Sequence, residues 1–253
     1  QYFCEEVSHS HKVVLTDECA DEVFGGYPWF HREEMLNSGT FPWTPSLTPR
    51  KVLLKDDLVK SLHMDEYVKK IYDRSVSEIN VLPSENEIET NRRRIGYLNI
   101  RFFMQTLLNR MDRTSMFSGL EARVPFADRK LVDYVFNIPW EMKAKDGLVK
   151  NILRQASKGL LPDEILFRRK SPYPKTYNPY YENLLAKRLK EVLADSASPL
   201  HSLLDLKQVT QFLENPKDYG APWYGQLMAG PQMIAYLLQI EYFLRKYNVS
   251  IRI

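Results

Sequence analysis

The chain has 253 residues, of which 44% are hydrophobic, 26% charged and 12% aromatic, a composition typical of a folded globular protein and too apolar for a disordered one. The net charge of +3 is too small to predict nucleic-acid binding by itself, and the longest apolar runs are too short to span a membrane. The sequence holds two cysteines, Cys4 and Cys19, and no signal-peptide pattern, which favours reduced thiols and a cytoplasmic location.

The first predicted element is a short strand over residues 12–16, because β-branched residues are concentrated there. From about residue 50 the apolar spacing becomes helical. Amphipathic helices are predicted over residues 53–72, 88–109, 148–156 and 232–247. A further helix is predicted from an N-cap at Asp128 to about Asn137, where Pro139 stops it, and Gly159 is the predicted C-cap of the helix over 148–156. The predicted fold class is therefore mainly α, with one short strand near the start.

A single strand cannot form a sheet, since its backbone groups would stay unpaired. We therefore expect either that the partner strand lies outside this chain or that the chain is a fragment, and the first residue, Gln1, favours a fragment. Residues 171–182 contain three prolines and four tyrosines, which predicts an ordered loop or an extended connection.

The predicted strand is followed by four carboxylates within six residues, and then by the turn signal of Gly25 and Gly26. Residues 1–40 as a whole carry eight acidic and two basic side chains. Carboxylates at the end of a strand suit Mg²⁺ coordination together with substrate phosphates. They also suit a solvated turn that leads into a helix with an acidic first turn. Composition alone favours this second interpretation.

Basic residues are concentrated between residues 141 and 175, a segment with nine lysines and arginines and four acidic residues. Such a segment can neutralise a pyrophosphate, or it can be the solvated face of a helix. The run of three arginines at residues 92–94 is predicted to lie on a solvated helix face. The five histidines show no metal-ligand spacing, and Cys19 is predicted to be a small packed residue and not a nucleophile.

Residues 15–27, LTDECADEVFGGY, resemble a signature of the synthetase domain of glutamine-dependent asparagine synthetases and their β-lactam synthetase relatives. The resemblance implies that Asp21 is the ligand of Mg²⁺ and pyrophosphate, and that Glu18 lies beside the reacting groups. Two positions differ from the family pattern, because Asp17 and Cys19 stand where glycines are usual.

Two further segments resemble the same family, in the same order along the chain. Residues 150–170, KNILRQASKGLLPDEILFRRK, are similar to its basic run, which implies that Lys170 holds the triphosphate and stabilises charge as an acyl-adenylate forms. Residues 112–128, DRTSMFSGLEARVPFAD, are similar to a third block. There we expect Arg113, Glu121 and Arg123 to form an internal ion-pair lattice.

The family also has a Ser-Gly-Gly-x-Asp-Ser loop that cradles pyrophosphate, and this motif does not occur in the 253 residues. In the family it lies upstream, with the other strands of the sheet and an N-terminal glutaminase domain. The resemblance therefore implies that residues 1–253 are the C-terminal, helical part of an α/β synthetase domain of the adenine-nucleotide α-hydrolase type.

The implied activity is ligation. ATP activates the side-chain carboxylate of aspartate, and ammonia from the glutaminase domain amidates it, with Mg²⁺ as cofactor and with no nucleic-acid or membrane partner. The isolated chain is expected to be inactive. Two alternatives remain: a non-catalytic remnant of this family, and a basic helical nucleic-acid-binding module that would use residues 92–94 and 168–170. The synthetase hypothesis requires Glu18, Asp21 and Lys170 to face one diphosphate-sized gap.

Overall fold

A computed structural model of the chain describes residues 1–170, 178–216 and 229–251. The described part is predominantly helical and divides into two compact units. Its strands are β1 (Val13–Leu15) and β2 (Glu121–Arg123). Its α-helices are α1 (Tyr2–Ser8), α2 (Ala20–Phe24), α3 (Glu33–Leu36), α4 (Thr48–Lys51), α5 (Asp56–Leu62), α6 (Met64–Ser77), α7 (Glu87–Leu98), α8 (Gln105–Met116), α9 (Arg129–Phe136), α10 (Trp140–Lys143), α11 (Asn151–Ala156), α12 (Asp163–Leu166), α13 (Pro179–Ala194), α14 (Leu206–Glu214) and α15 (Gly230–Lys246).

The first unit comprises Gln1–Pro42 and Asp73–Lys170, and its two strands form a parallel pair. Val13, Val14 and Leu15 lie opposite Glu121, Ala122 and Arg123. The mainly α fold class is confirmed, but the expectation that β1 has no partner in this chain is wrong. The sequence did not predict β2, because Glu121, Ala122 and Arg123 include no β-branched residue that would indicate a strand.

One face of this strand pair is exposed. Val13 and Leu15 are 41% and 72% exposed, and their register partners Glu121 and Arg123 are exposed as well. Glu121 and Arg123 form an ion pair of 2.8 Å at the surface, while Arg113 is exposed and forms no ion pair within the described ranges. The predicted internal lattice is therefore wrong. Residues two apart in a strand share one face, and in β2 that face points outward.

Helix α7 starts with a capping box, in which Asn86 and Glu89 bond each other's backbone N–H groups. The predicted N-cap of α9 is confirmed, since Asp128 accepts hydrogen bonds from the N–H groups of Lys130 and Leu131. Between α7 and α8 the backbone forms a π-helical segment, Asn99–Met104. Its Met104 packs with Cys19, Val23, Phe24 and Val135 in the core of the first unit. The segment therefore buries the inner face of α2.

The second unit comprises Trp43–Tyr72 and Ser171–Ile253. Helices α13, α14 and α15 share one core, in which α13 and α15 pack on each other. Within this unit, Leu54 and Leu204 form an antiparallel β-bridge, and Arg245 binds Asp195 at 2.6 Å. The buried core residues are Leu53, Leu189, Leu200, Leu204, Val209, Phe212, Leu213, Met233, Ile234 and Leu237.

The predicted loop over residues 171–182 is only partly described. Residues 171–177 lie outside the described residues, whereas residues 179–182 form the first turn of α13. The prediction of an irregular segment there is wrong, because Pro179 occupies the first helical position, where a proline needs no hydrogen-bonded N–H. Asn178 caps this helix by accepting a hydrogen bond from the N–H of Tyr180. In the described part of the chain, every helix is too short or too polar to cross a lipid bilayer.

Candidate functional site

Asp21 lies in the first turn of α2, just after β1, as the sequence predicts. The turn between strand and helix passes through Cys19, whose backbone is left-handed, with φ of 74°. This conformation is costly for a residue that has a Cβ atom. The family pattern has glycine at position 19, and Cys19 keeps the conformation that glycine adopts easily, whereas Asp17 is not left-handed.

The Cys19 side chain is buried, with 1% of the residue exposed. Burial, together with the charges of Glu22 and Glu18, raises the pKa of its thiol to about 12. The thiol therefore stays protonated and unreactive at neutral pH. This agrees with the prediction of a small packed residue.

Two lysine side chains converge on the Asp21 carboxylate. Lys170 Nζ donates a hydrogen bond of 2.8 Å to Asp21 Oδ2. Lys150 Nζ lies 2.9 Å from Asp21 Oδ1, an ion pair outside hydrogen-bond geometry that leaves this buried oxygen without a hydrogen bond. We call Asp21, Lys150 and Lys170 the Asp21 cluster. Its two cations and one carboxylate leave a local net charge of +1.

Burial of Asp21 by itself would raise the pKa of its carboxyl group. The ammonium groups of Lys170 and Lys150 outweigh that effect and hold the pKa below its ordinary value. Asp21 is therefore ionised at neutral pH. The Lys170 side chain is 35% exposed, so the cluster is accessible to a ligand.

Glu18 does not join the Asp21 cluster. Its Oε1 accepts a hydrogen bond of 2.5 Å from Arg110, and it forms no ion pair with Lys150 or Lys170. Its other carboxylate oxygen is buried and has no hydrogen-bond partner. The structure thus brings Asp21 and Lys170 together as predicted, and pairs Glu18 with an arginine that the sequence did not single out.

An aromatic ring supports the Lys170 ammonium. Lys170 Nζ lies 4.3 Å from the centre of the Tyr27 ring, a cation–π arrangement. The Tyr27 hydroxyl donates a hydrogen bond of 2.5 Å to Glu22. Glu22 is buried, and burial raises the pKa of its carboxyl group. The tyrosine after Gly25 and Gly26 therefore links the end of α2 to Lys170.

The two glycines of the signature have distinct structural roles. Gly25 ends α2 with a φ of 71°, and a Cβ atom there would lie 2.6 Å from Cζ3 of Trp140. A Cβ atom on Gly26 would lie 1.8 Å from Oδ1 of Asp21. The Asp21 carboxylate therefore occupies the position that a side chain at residue 26 would take.

Arg154 anchors the segment that leads to Lys170. Its guanidinium donates hydrogen bonds to the carbonyl oxygens of Val149 at 2.9 Å and Arg168 at 3.3 Å, and also to that of Leu166. One side chain thus fixes backbone on both sides of the basic segment, near Lys150 and near Lys170. Arg154 is a positioning residue, because it contacts backbone and not the Asp21 cluster.

The prediction that residues 92–94 form a solvated face is wrong. The side chain of Arg93 is 10% exposed and binds Glu85 at 2.5 Å, and Arg92 lies over the Trp140 ring. Side chains packed in this way do not form a phosphate-binding surface, so they give no support to the nucleic-acid alternative.

No role for Lys150, Arg110 or Tyr27 was evident from the sequence. For Lys150 and Tyr27 a signal was present, since both lie inside segments that resemble the family. Arg110 lies outside those segments. Its proximity to Glu18, 92 residues away in the sequence, arises only in the fold.

A divalent cation fits the chemistry of this region. Mg²⁺ takes hard oxygen ligands, commonly one or two carboxylates plus substrate phosphates. Glu18 Oε2 is a buried carboxylate oxygen without a hydrogen-bond partner, whereas Asp21 Oδ1 is ion-paired with Lys150 at 2.9 Å. No group of three metal-ligating side chains occurs in the described ranges. Within these ranges the protein thus offers ligands for a cation shared with a phosphate substrate, and no complete cage.

Comparison with known proteins gives one consistent result. The family model described as asparagine synthase matches residues 1–245. The chain is 48% identical to asparagine synthetase (glutamine-hydrolyzing) 3 of Bacillus subtilis (strain 168), over 99% of this chain and 41% of that protein. It is 28% identical to asparagine synthetase (glutamine-hydrolyzing) 1 of the same organism, over 85% of this chain and 38% of that protein. A third relative, asparagine synthetase (glutamine-hydrolyzing) of Rattus norvegicus, is 45% identical over 25% of this chain and 12% of that protein.

The chain thus spans about two fifths of the length of the two Bacillus relatives that it matches over most of its own length. The family match covers all of the first unit, including the Asp21 cluster. The chain belongs to the asparagine synthase family.

Proposed function

We propose that the full-length protein is a glutamine-dependent asparagine synthetase and that the Asp21 cluster binds the pyrophosphate part of ATP. One observation carries the proposal: two lysines, distant from Asp21 in the sequence, converge on its carboxylate with ion-pair distances of 2.9 and 2.8 Å. Two ammonium groups around one carboxylate leave positive charge for an anionic ligand. A triphosphate supplies that anion.

In the proposed reaction, the side-chain carboxylate of aspartate attacks the α-phosphorus of ATP. This step forms an acyl-adenylate and releases pyrophosphate. Ammonia then attacks the acyl carbon, and AMP leaves as asparagine forms. Because negative charge accumulates on the leaving pyrophosphate, the preorganised ammonium groups of Lys170 and Lys150 stabilise the transition state of the first step.

Asp21 would hold Mg²⁺ through its carboxylate. When bound, Mg²⁺ would act as a Lewis acid on the pyrophosphate oxygens. Asp21 also keeps Lys150 and Lys170 side by side before ATP binds. The carboxylate thus orders both cations so that little reorganisation is needed during the reaction.

Glu18 has a separate role in the second step. Its buried Oε2 has no hydrogen-bond partner and can accept a proton when ammonia attacks the acyl carbon. Arg110 holds the other oxygen of the same carboxylate in place. We therefore assign proton transfer to Glu18 and charge stabilisation to Lys170 and Lys150.

We also propose that residues 1–253 are the C-terminal portion of the synthetase domain in a cytoplasmic protein. In the described residues the sheet has two strands, β1 and β2, and further strands of a larger sheet would pair at its edges; both cysteines are free thiols. Because the Gly-rich phosphate loop is not in this sequence, we expect the 253 residues alone to show no ATP-dependent ligation. Micromolar ATP binding by that chain in calorimetry would mean that the nucleotide site is misplaced here.

The decisive experiment is Lys170→Ala in the full-length protein, assayed with aspartate, ATP and ammonia. Loss of the positive charge that Lys170 places beside the leaving pyrophosphate should lower asparagine formation by about 100- to 1000-fold. Aspartate-dependent pyrophosphate release should fall to the same extent, since Lys170 acts in the first step. Glutamine hydrolysis, measured separately, should stay largely intact.

The matched control is Lys158→Ala, which removes an exposed lysine of the same basic segment. This variant should keep asparagine formation at the level of the unaltered protein. Unchanged asparagine formation by Lys170→Ala would refute the assignment of Lys170.

The non-catalytic alternative has one observation in its favour. Asp17 replaces a glycine of the family pattern and is exposed next to the acidic signature, where its charge would repel a phosphate. Asp17→Gly in the full-length protein distinguishes the two hypotheses. A remnant would gain asparagine formation only in this variant, whereas an active synthetase forms asparagine with Asp17 in place.

A further inference from the structure

The first unit contains a cavity of about 210 Å³ that is not lined by Asp21, Lys150 or Lys170. Its walls are formed by the end of α2, by α7 and by the region from α9 to α10. Apolar side chains make up much of the surface, among them Phe30, Phe136 and Trp140. Three acidic and three basic side chains complete it: Glu22, Glu85, Glu89, Arg92, Arg93 and Lys143.

Each acidic side chain of the cavity already has a partner. Glu85 binds Arg93 at 2.5 Å. Glu89 accepts a hydrogen bond of 2.9 Å from the N–H of Asn86 in the capping box. Glu22 accepts the hydroxyl hydrogen bond of Tyr27. None of these acids forms an ion pair with the two remaining cations, although the charge of Glu89 acts on Arg92.

Neither of those two cations, Arg92 and Lys143, forms an ion pair in the described residues, although the charges of Glu141 and Glu89 act on Arg92. The guanidinium carbon of Arg92 lies 4.6 Å from the Trp140 ring centre, and its buried Nε makes no hydrogen bond. Within the described ranges Arg92 forms no ion pair. The one hydrogen bond of Lys143 Nζ goes to the carbonyl oxygen of Phe136, at 3.3 Å, and no carboxylate lies within ion-pair distance of Lys143 in the described residues.

A half-buried cation without an acidic partner is unfavourable, because buried charges are normally paired. Burial, together with the charge of Arg93, lowers the pKa of Lys143 to about 8. An anion placed between Arg92 and Lys143 would relieve this penalty for both side chains. The aromatic wall would contact whatever apolar body that anion carries.

We propose that this cavity binds a small organic anion, a carboxylate on an apolar or aromatic body, through Arg92 and Lys143. The carboxylate accepts hydrogen bonds from both cations, and its body packs on Trp140 and Phe136. This site is separate from the Asp21 cluster and does not depend on the proposed function. Because Glu22 and Gly25 of the wall belong to the end of α2, a bound ligand contacts the helix that carries Asp21.

The test measures binding of benzoate and of its neutral analogue benzamide to the full-length protein by ligand-observed NMR. We expect benzoate to bind with a Kd of about 0.1–1 mM, and benzamide to bind at least about tenfold more weakly, because a charge-assisted hydrogen bond is lost. Lys143→Met and Arg92→Met should each weaken benzoate binding by about tenfold or more. Lys145→Met removes an exposed lysine outside the cavity and should leave benzoate binding unchanged.

The outcomes against the proposal are distinct. Absence of benzoate binding to the unaltered protein at millimolar concentration, or equal binding by Lys143→Met and the unaltered protein, would overturn it. Tighter binding of inorganic phosphate than of benzoate would contradict the role of the aromatic wall. Should Arg92→Met fail to fold, Lys143→Met decides, since replacing a partly buried charge by an apolar chain of similar length favours folding.

Discussion

The left-handed backbone of Cys19 leads to a quantitative prediction about stability. Compare Cys19→Ala with Cys19→Gly, so that only a methyl group differs between the two variants. Loss of a buried methyl group costs about 0.8 kcal/mol, and the greater freedom of glycine in the unfolded chain costs about 0.5–1 kcal/mol more. At a φ of 74° glycine also removes a strain of about 1–2 kcal/mol. These effects nearly cancel, so the two variants should have nearly equal free energies of unfolding.

The neighbouring residue provides the reference. Ala20 is buried, with 7% of the residue exposed, and is helical, so Ala20→Gly carries the two costs without the compensating strain relief. We expect it to lower the free energy of unfolding by about 1.5 kcal/mol. Urea unfolding of all variants, followed by circular dichroism, measures the comparison. If Cys19→Gly were about 1.5 kcal/mol less stable than Cys19→Ala, the left-handed assignment of Cys19 would be wrong.

Three further predictions concern the Asp21 cluster and the cavity. Gly26→Ala forces the Asp21 carboxylate to move and should lower asparagine formation by the full-length protein by about 10- to 100-fold. Gly96→Ala is the control, since its Cβ atom would lie 3.6 Å from the Phe136 ring, an ordinary van der Waals distance. The pKa of Asp21 is held below its ordinary value, so its ion pairs stabilise the fold fully above about pH 4 and less as the pH falls through the folded-state pKa. The stability difference between the unaltered protein and Asp21→Asn should therefore shrink below about pH 4 in urea unfolding, and a constant difference would contradict the pairing. The pKa of Lys143 is lowered from 10.5 to about 8. Between about pH 8 and pH 10.5 the unfolded state therefore binds more protons than the folded state, so the free energy of unfolding rises with pH by on the order of 3 kcal/mol. In urea unfolding Lys143→Met should lack this rise, and an equal rise in both proteins would refute the burial of the Lys143 ammonium.

Local sequence patterns were sufficient for several elements of the fold. The strand at residues 13–15, the N-cap at Asp128 and the long C-terminal helix were all predicted, and the structure confirms them. Each depends on neighbours within a few residues: alternation in a strand, a carboxylate near free N–H groups, or apolar residues at helical spacing. The resemblance of residues 15–27 to the family signature likewise needs only the order of residues.

The strand pair and the Asp21 cluster depend on residues that are far apart in the sequence. Pairing of β1 with β2 joins segments more than a hundred residues apart. The hydrogen bond between Lys170 and Asp21 spans 149 residues, and it was expected only because a family resemblance placed both residues at one ligand. Lys150 joins the same carboxylate, although composition alone favoured a solvated helix face for the segment that contains it.

The sequence by itself thus determined the helical character of the chain, the N-cap at Asp128 and the family signature, because these depend on local backbone preferences and on residue order; the predicted C-cap at Gly159 is wrong, since the helix ends at Ala156 with Ser157 as its cap. Only the tertiary structure decided that Lys150 completes the Asp21 cluster, that Gly26 makes room for the Asp21 carboxylate and that Arg92 faces a cavity beside Trp140. How deeply a side chain is buried and which charges lie near it depend on how distant segments pack together. Two side chains of the same type can therefore differ in burial and in their charged neighbours.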